Sequence, residues 1–148
     1  MNGVLRKLPI GIHDFEKLRK GDYLYVDKTT LVWRIANTGK AYLLTRPRRF
    51  GKSLLLSTFK AYFEGKKELF GGLAIAGMEK DWRKYPVLHL DLNVRKHDSS
   101  QALAEILSRQ LTQWELKYGK GEDEETLSGR FAGAIRRASE QSRRGVVV

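Results

Sequence analysis

The sequence predicts an α/β fold of three layers, with parallel strands held between helices. Three observations carry the prediction. Short apolar runs of strand length stand at 41–45, 87–92 and 146–148. Between them, apolar residues recur at helical spacing, and the turn Gly51-Lys52-Ser53 joins the first run directly to a helical segment.

Taken in order, Gly21-Asp22 introduces the β-prone run Tyr23-Leu24-Tyr25-Val26, after which Asp27 or Thr29 can cap a helix through Thr30–Ala36 that ends at Gly39. Ala41-Tyr42-Leu43-Leu44-Thr45 has no polar alternation, the pattern of a strand covered on both faces. From Lys52 to Phe63 the spacing predicts a helix with Leu55, Phe59 and Tyr62 on one face, stopped by Gly65. A loop region containing Gly71-Gly72 and Gly77 then leads past Trp82 to Tyr85-Pro86, and Val87–Leu92 alternates leucine with polar residues as a strand does. Asp98-Ser99-Ser100-Gln101 resembles a capping box ahead of the stripe Leu103, Leu107, Leu111, Trp114 and Tyr118. Residues 119–129, with Glu122-Asp123-Glu124-Glu125, read as a polar, mobile loop. Leu127, Phe131, Ile135 and Ala138 mark a last helix before the strand beginning Val146-Val147-Val148.

A chain of 148 residues with 41% hydrophobic content fills one domain, and no repeat or linker divides it. Cysteine is absent, which excludes disulfides, thiolate zinc sites and a cysteine nucleophile, and three scattered histidines make a poor metal site. With no apolar run of signal-peptide or membrane-span length, the expectation is a cytoplasmic protein that keeps clear of membranes. The formal charge is +11, and its distribution matters more than its total. Residues 1–60 hold 13 Lys/Arg against 4 Asp/Glu, the rest of the chain 15 against 13, so the excess surrounds the Gly-Lys-Ser turn. Such a surface attracts phosphate polyanions, nucleotide or nucleic acid.

A phosphate-binding loop needs converging backbone N–H groups, the N-terminus of a following helix, and a cation long enough to reach over the loop. Arg46-Pro47-Arg48-Arg49-Phe50-Gly51-Lys52-Ser53 offers all three. Gly51 lets the main chain approach the phosphates, Lys52 can reach the β- and γ-phosphates, and Ser53 can place its hydroxyl on a magnesium ion. The pattern G-x-x-x-x-G-K-[ST] is incomplete, because Arg46 stands where its first glycine belongs. The expected nucleotide-binding residues are Arg48, Arg49, Phe50, Gly51, Lys52 and Ser53, with Ser53 as the metal ligand. An ordinary basic strand-to-helix turn is the bland reading of the same segment.

The segments Leu8-Pro9-Ile10-Gly11-Ile12-His13-Asp14-Phe15, Tyr25-Val26-Asp27-Lys28-Thr29 and Arg46–Ser53 together resemble the AAA-ATPase-like family, prokaryotic P-loop proteins often followed by a PD-(D/E)XK nuclease-like domain. The arginine-proline start of the loop is that family's own variant. The resemblance implies a three-layer P-loop NTPase fold truncated at its C-terminus, with residues 1–148 the N-terminal portion of one domain ending at the start of a Walker B strand. It further implies ATP and Mg2+ as ligands, with hydrolysis by the complete protein and catalytic acids beyond Val148. The alternative is a non-hydrolysing nucleic-acid-binding module that sets the same basic loop on backbone phosphates.

Asp91, near the carboxyl end of a predicted strand with His89 on its face, is either a magnesium or sensor residue or a polar strand end bonded to a loop. His13 and His97 have no partner at ligand spacing. Trp33, Trp82 and Trp114 read as core or interface residues. Oligomeric state, base preference and catalytic residues are not readable from the chain.

Overall fold

A computed structural model describes residues 6–39, 41–92, 99–122 and 124–148. The chain divides into two compact units, Met1–Lys84 and Tyr85–Val148. No helix among the described residues is long and apolar enough to cross a membrane.

In the first unit, Asp14 opens α1 (Phe15–Lys20) by accepting the Lys17 N–H at 2.8 Å, and Phe15 and Leu18 become the buried face. α2 (Thr29–Thr38) and α3 (Lys52–Phe63) follow, then a 3-10 turn (Lys67–Phe70) and the single turn of α4 (Ile75–Met78). α1 packs on α3, and α2 on α4. Phe15, Val32, Phe70 and Ile75 are fully buried, with ring centroids 4.9 Å apart for Phe15–Phe70 and 5.0 Å for Phe70–Trp82. Leu55, Phe59 and Tyr62 pack against this core, the face that their spacing predicts for α3.

In the second unit, α5 (Ser100–Tyr118) and α6 (Leu127–Ser142) pack side by side. Ser99 caps α5, its Oγ accepting the Ala102 N–H at 3.2 Å, while the Asp98 expected to begin the capping box lies outside the described residues. The core is Leu88, Tyr118 and Ala138, with Trp114, Ile135 and Val146 against it. Arg130 of α6 reaches back to α5 and grips both carboxylate oxygens of Glu115, at 2.6 and 2.8 Å.

The three-layer α/β P-loop NTPase fold expected from the sequence is corrected here. The described residues are helical and contain no sheet, only the isolated parallel bridges Lys7↔Tyr23 and Val87↔Val147. The physical reason is that a strand is stabilised by its neighbours more than by its own residues. Ala41–Thr45 has the composition of a doubly covered strand, yet all five residues are exposed, Leu43 to 91%, and none pairs with a strand among the described residues. The runs 87–92 and 146–148 do meet in parallel, through Leu88 N–H to the Val147 carbonyl at 2.7 Å and Val147 N–H to the Pro86 carbonyl at 2.9 Å. One bridge with two hydrogen bonds is not a sheet.

The loop expected between α5 and α6 is present among the described residues, and one of its acids is anchored. Glu124 is buried, held by Arg137 of α6 through two bonds of 2.5 and 2.8 Å.

Candidate functional site

α3 is fastened to the first unit's core along its middle, so that its first turn and the preceding loop project from it. Ser57 Oγ accepts the Phe15 N–H at 2.9 Å and donates to the Leu54 carbonyl at 2.8 Å. Thr58, buried beside it, donates to the same carbonyl at 2.8 Å. Residues 41–51 are all exposed, so this loop leaves a packed helix and stands in solvent.

The loop turns at Arg48-Arg49. Arg49 takes a left-handed φ of 67° and Gly51 one of 74°, the second at no steric cost because glycine has no Cβ. α3 then begins at Lys52 with no side chain capping it, and its first bond runs from the Leu55 N–H to the Gly51 carbonyl at 2.9 Å. The N–H groups of Lys52, Ser53 and Leu54 precede that bond and belong to the donor set every helix start leaves open. Above them a Cβ placed on Gly51 would meet nothing within 4 Å.

Lys52 is half-buried and folds back over the loop, where its Nζ donates to the Arg46 carbonyl at 2.7 Å. Of the residues expected to hold nucleotide, this brings Lys52, Gly51 and the Ser53 backbone to one place. The side chains of Arg48, Arg49 and Phe50 lie out in solvent, as does Ser53. None of the loop's cations is in an ion pair among the described residues. The arrangement can accept an anion through backbone donors, the partial positive charge of the helix start and one movable ammonium.

The Tyr25–Thr29 segment has a structural task that the sequence showed only in part, as a cap for the helix that follows it. Asp27 accepts from the Thr29 N–H at 2.8 Å, the Thr29 hydroxyl at 2.6 Å and the Ala74 N–H at 2.7 Å. Thr29, fully buried, in turn accepts the Ile75 N–H at 3.2 Å. The pair therefore takes up N–H groups at the starts of both α2 and α4, whose own N-cap residues, Lys28 and Ala74, make no side-chain cap. Burial alone would raise the Asp27 carboxyl, but the bonds from Thr29 and Ala74 outweigh it and hold the group below its usual range. Asp-x-Thr ahead of a helical pattern is a visible capping signal; its bonds to Ala74 and Ile75, 47 and 46 residues on, are not. Tyr25 packs on Phe15 at 5.3 Å, and burial pushes its phenol upward, as befits a core residue.

Asp91 belongs to the second unit. It is exposed with His89, and its main chain is tied to α5: its N–H donates to Gln110 Oε1 at 3.1 Å, and Gln110 Nε2 donates to its carbonyl. No cluster of three metal-capable acid, histidine or cysteine side chains occurs among the described residues. His13 is exposed, and His97 lies outside the described residues. Trp33 and Trp82 join the first core and Trp114 the second, as their apolar surroundings predict.

The chain is similar to a curated relative from Azotobacter chroococcum mcd 1, described as an uncharacterized protein in the vnfD 5'region. The two are 39% identical over 145 residues, which cover 97% of this chain and 28% of the relative. The chain thus spans under a third of that relative's length. No solved structure matches it. A family model described as a predicted AAA-ATPase matches residues 9–148, nearly the whole chain and the entire phosphate-loop segment Arg46–Ser53. The chain belongs to the AAA-ATPase-like family.

Proposed function

We propose that Arg46–Ser53 binds the phosphates of ATP·Mg, and that the complete protein hydrolyses the nucleotide to drive a conformational change. The observation that carries this reading is the Lys52 ammonium folded over the loop onto the Arg46 carbonyl at 2.7 Å, beside an uncapped helix start. A phosphate oxygen is a stronger acceptor for an ammonium than a neutral carbonyl, so Lys52 exchanges one for the other without leaving the loop. The N–H groups from Arg49 to Ser53 take the remaining oxygens. Ser53 offers its hydroxyl to magnesium, which when bound spreads the charge of the β- and γ-phosphates.

Arg48 and Arg49 supply additional positive charge to the same anion, and Phe50 contributes its backbone. Membership in a family described as predicted AAA-ATPases supports the reading. The test is calorimetry of ATP·Mg on the complete protein carrying Lys52→Ala, with Arg34→Ala as the control for lost charge. Lys52→Ala weakens binding by at least about tenfold more than Arg34→Ala, the worth of a charge-assisted hydrogen bond. Equal affinities in the two variants would remove the assignment.

A further inference from the structure

Between Asp27 and Glu64 lie 36 consecutive residues without a single aspartate or glutamate, and eight of them are lysine or arginine. The span takes in α2, the loop residues 41–51 and α3, so both helices flanking the loop are acid-free. Lys28, Arg34, Arg46, Arg48, Arg49, Lys52 and Lys60 form no ion pair among the described residues. Even the two bounding acids are engaged elsewhere. Asp27 is held by Thr29 and Ala74, and Glu64 pairs with Lys66 at 2.9 Å. Among the described residues, these seven cations therefore have no acidic partner within salt-bridge distance.

Within the span, two aromatic side chains are more than half exposed: Phe50 at 63%, and Tyr42 at 55%, whose ring lies against Gly39 and whose hydroxyl shares a 3.0 Å hydrogen bond with Thr38. Phe50 sits directly beside Arg48 and Arg49, in a run of ten exposed residues from 41 to 50. Lone phosphate ions ask for charge and backbone donors, not for exposed rings. Cations that track a backbone beside rings open to stacking are what a nucleic acid with unpaired bases requires. A duplex hides its base faces, so it can use the charges but not the rings.

We propose that the acid-free span is a binding surface for single-stranded nucleic acid, with Phe50 and Tyr42 stacking on bases and Arg34, Arg48 and Arg49 on the phosphodiester backbone. This is a second activity beside nucleotide binding; it shares the charge of Arg48 and Arg49 with that reading and differs from it in the rings of Phe50 and Tyr42. The nucleotide reading turns on the loop's N–H groups, Lys52 and Ser53; the strand adds the rings of Phe50 and Tyr42, each more than half exposed.

The experiment uses the complete protein and a fluorescein-labelled 20-mer of thymidylate, followed by anisotropy over a salt series. Phe50→Ala weakens binding by about 5- to 100-fold, the worth of one stacked base, and leaves the salt slope unchanged. Arg48→Gln reduces the slope by about 0.7, one phosphate contact on a single strand. Tyr42→Ala weakens binding without moving the slope. Lys52→Ala weakens ATP·Mg binding by at least about tenfold yet weakens the oligonucleotide less than Phe50→Ala does, which separates this proposal from the nucleotide reading. Any of three results would overturn it: an unchanged affinity in both aromatic variants, a duplex of equal length binding as tightly, or phosphatidylserine vesicles binding in preference to the oligonucleotide. The last would make the exposed apolar run a membrane contact instead.

Discussion

Thr29 has no charge and no exposure, yet it joins two helices. Its hydroxyl donates to Asp27 and accepts from the Ile75 N–H, so its removal leaves a buried donor without an acceptor. Thr29→Val keeps the shape and deletes the hydroxyl, and is expected to destabilise the first unit by about 1–3 kcal/mol in urea titration followed by tryptophan fluorescence. Thr30→Val, next to it and outside this network, serves as the control and should change stability by less than about 0.5 kcal/mol. Gly133 makes the same kind of argument in α6. Alanine is the better helix former by about 1 kcal/mol in an open position. Here a Cβ would fall onto the Glu124 carboxylate, which Arg137 holds against the helix. Gly133→Ala should therefore lower the melting temperature by several degrees and loosen α6 amides in hydrogen exchange. A rise would show that Glu124 gives way freely.

At the scale of elements, helices were legible and strands were not. α3, α5 and α6 announce themselves because an amphipathic stripe is a property of the segment alone, and the glycines at 65, 119 and 145 lie just beyond their ends. α1 and α4 are a turn or two long and carry too few residues for a period. Ala41–Thr45 has strand composition, but pairing belongs to neighbours, and composition cannot supply them. The loop's residue types were readable from Gly51-Lys52-Ser53. The left-handed Arg49, the Lys52 contact to Arg46 and the Asp27–Thr29 clamp require coordinates. The exposed loop has a direct signature in proteolysis. Trypsin should cut after Arg48 or Arg49 sooner than after Arg130, which is locked in α6 by Ser108, Thr112 and Glu115. Saturating ATP·Mg should slow the loop cuts and leave Arg130 unaffected. Cleavage at Arg130 first would mean that the loop is better protected than its exposure implies.

Across the whole molecule, each unit is tied by an ion-paired glutamate that acid will release. In the first, Glu16 is bonded by Lys20 at 2.6 Å and Lys66 at 2.7 Å, and those two cations hold its carboxyl at about 2 against an ordinary 4.5. In the second, the Arg137 guanidinium holds Glu124 at about 2 from the same starting value. A carboxyl with a depressed folded pKa binds fewer protons in the native state than in the unfolded chain. Its stabilisation is complete above pH 4.5 and is lost as the pH falls through the window from 4.5 to about 2. Protonation also raises a net charge already at +11, so repulsion grows in the same window. Urea midpoints measured from pH 6 to pH 2.5 should accordingly drop most steeply below 4.5 in both units. Tyrosine- or phenylalanine-for-tryptophan variants assign the fluorescence: Trp33 and Trp82 report the first unit, Trp114 the second. Glu124→Gln should lower the Trp114 midpoint at neutral pH and flatten its fall in acid, while leaving the Trp82 profile in place. Glu16→Gln should do the reverse. If both profiles keep their full acid slope in the double variant, other carboxylates govern acid unfolding, and the two clusters contribute no pH-linked stability.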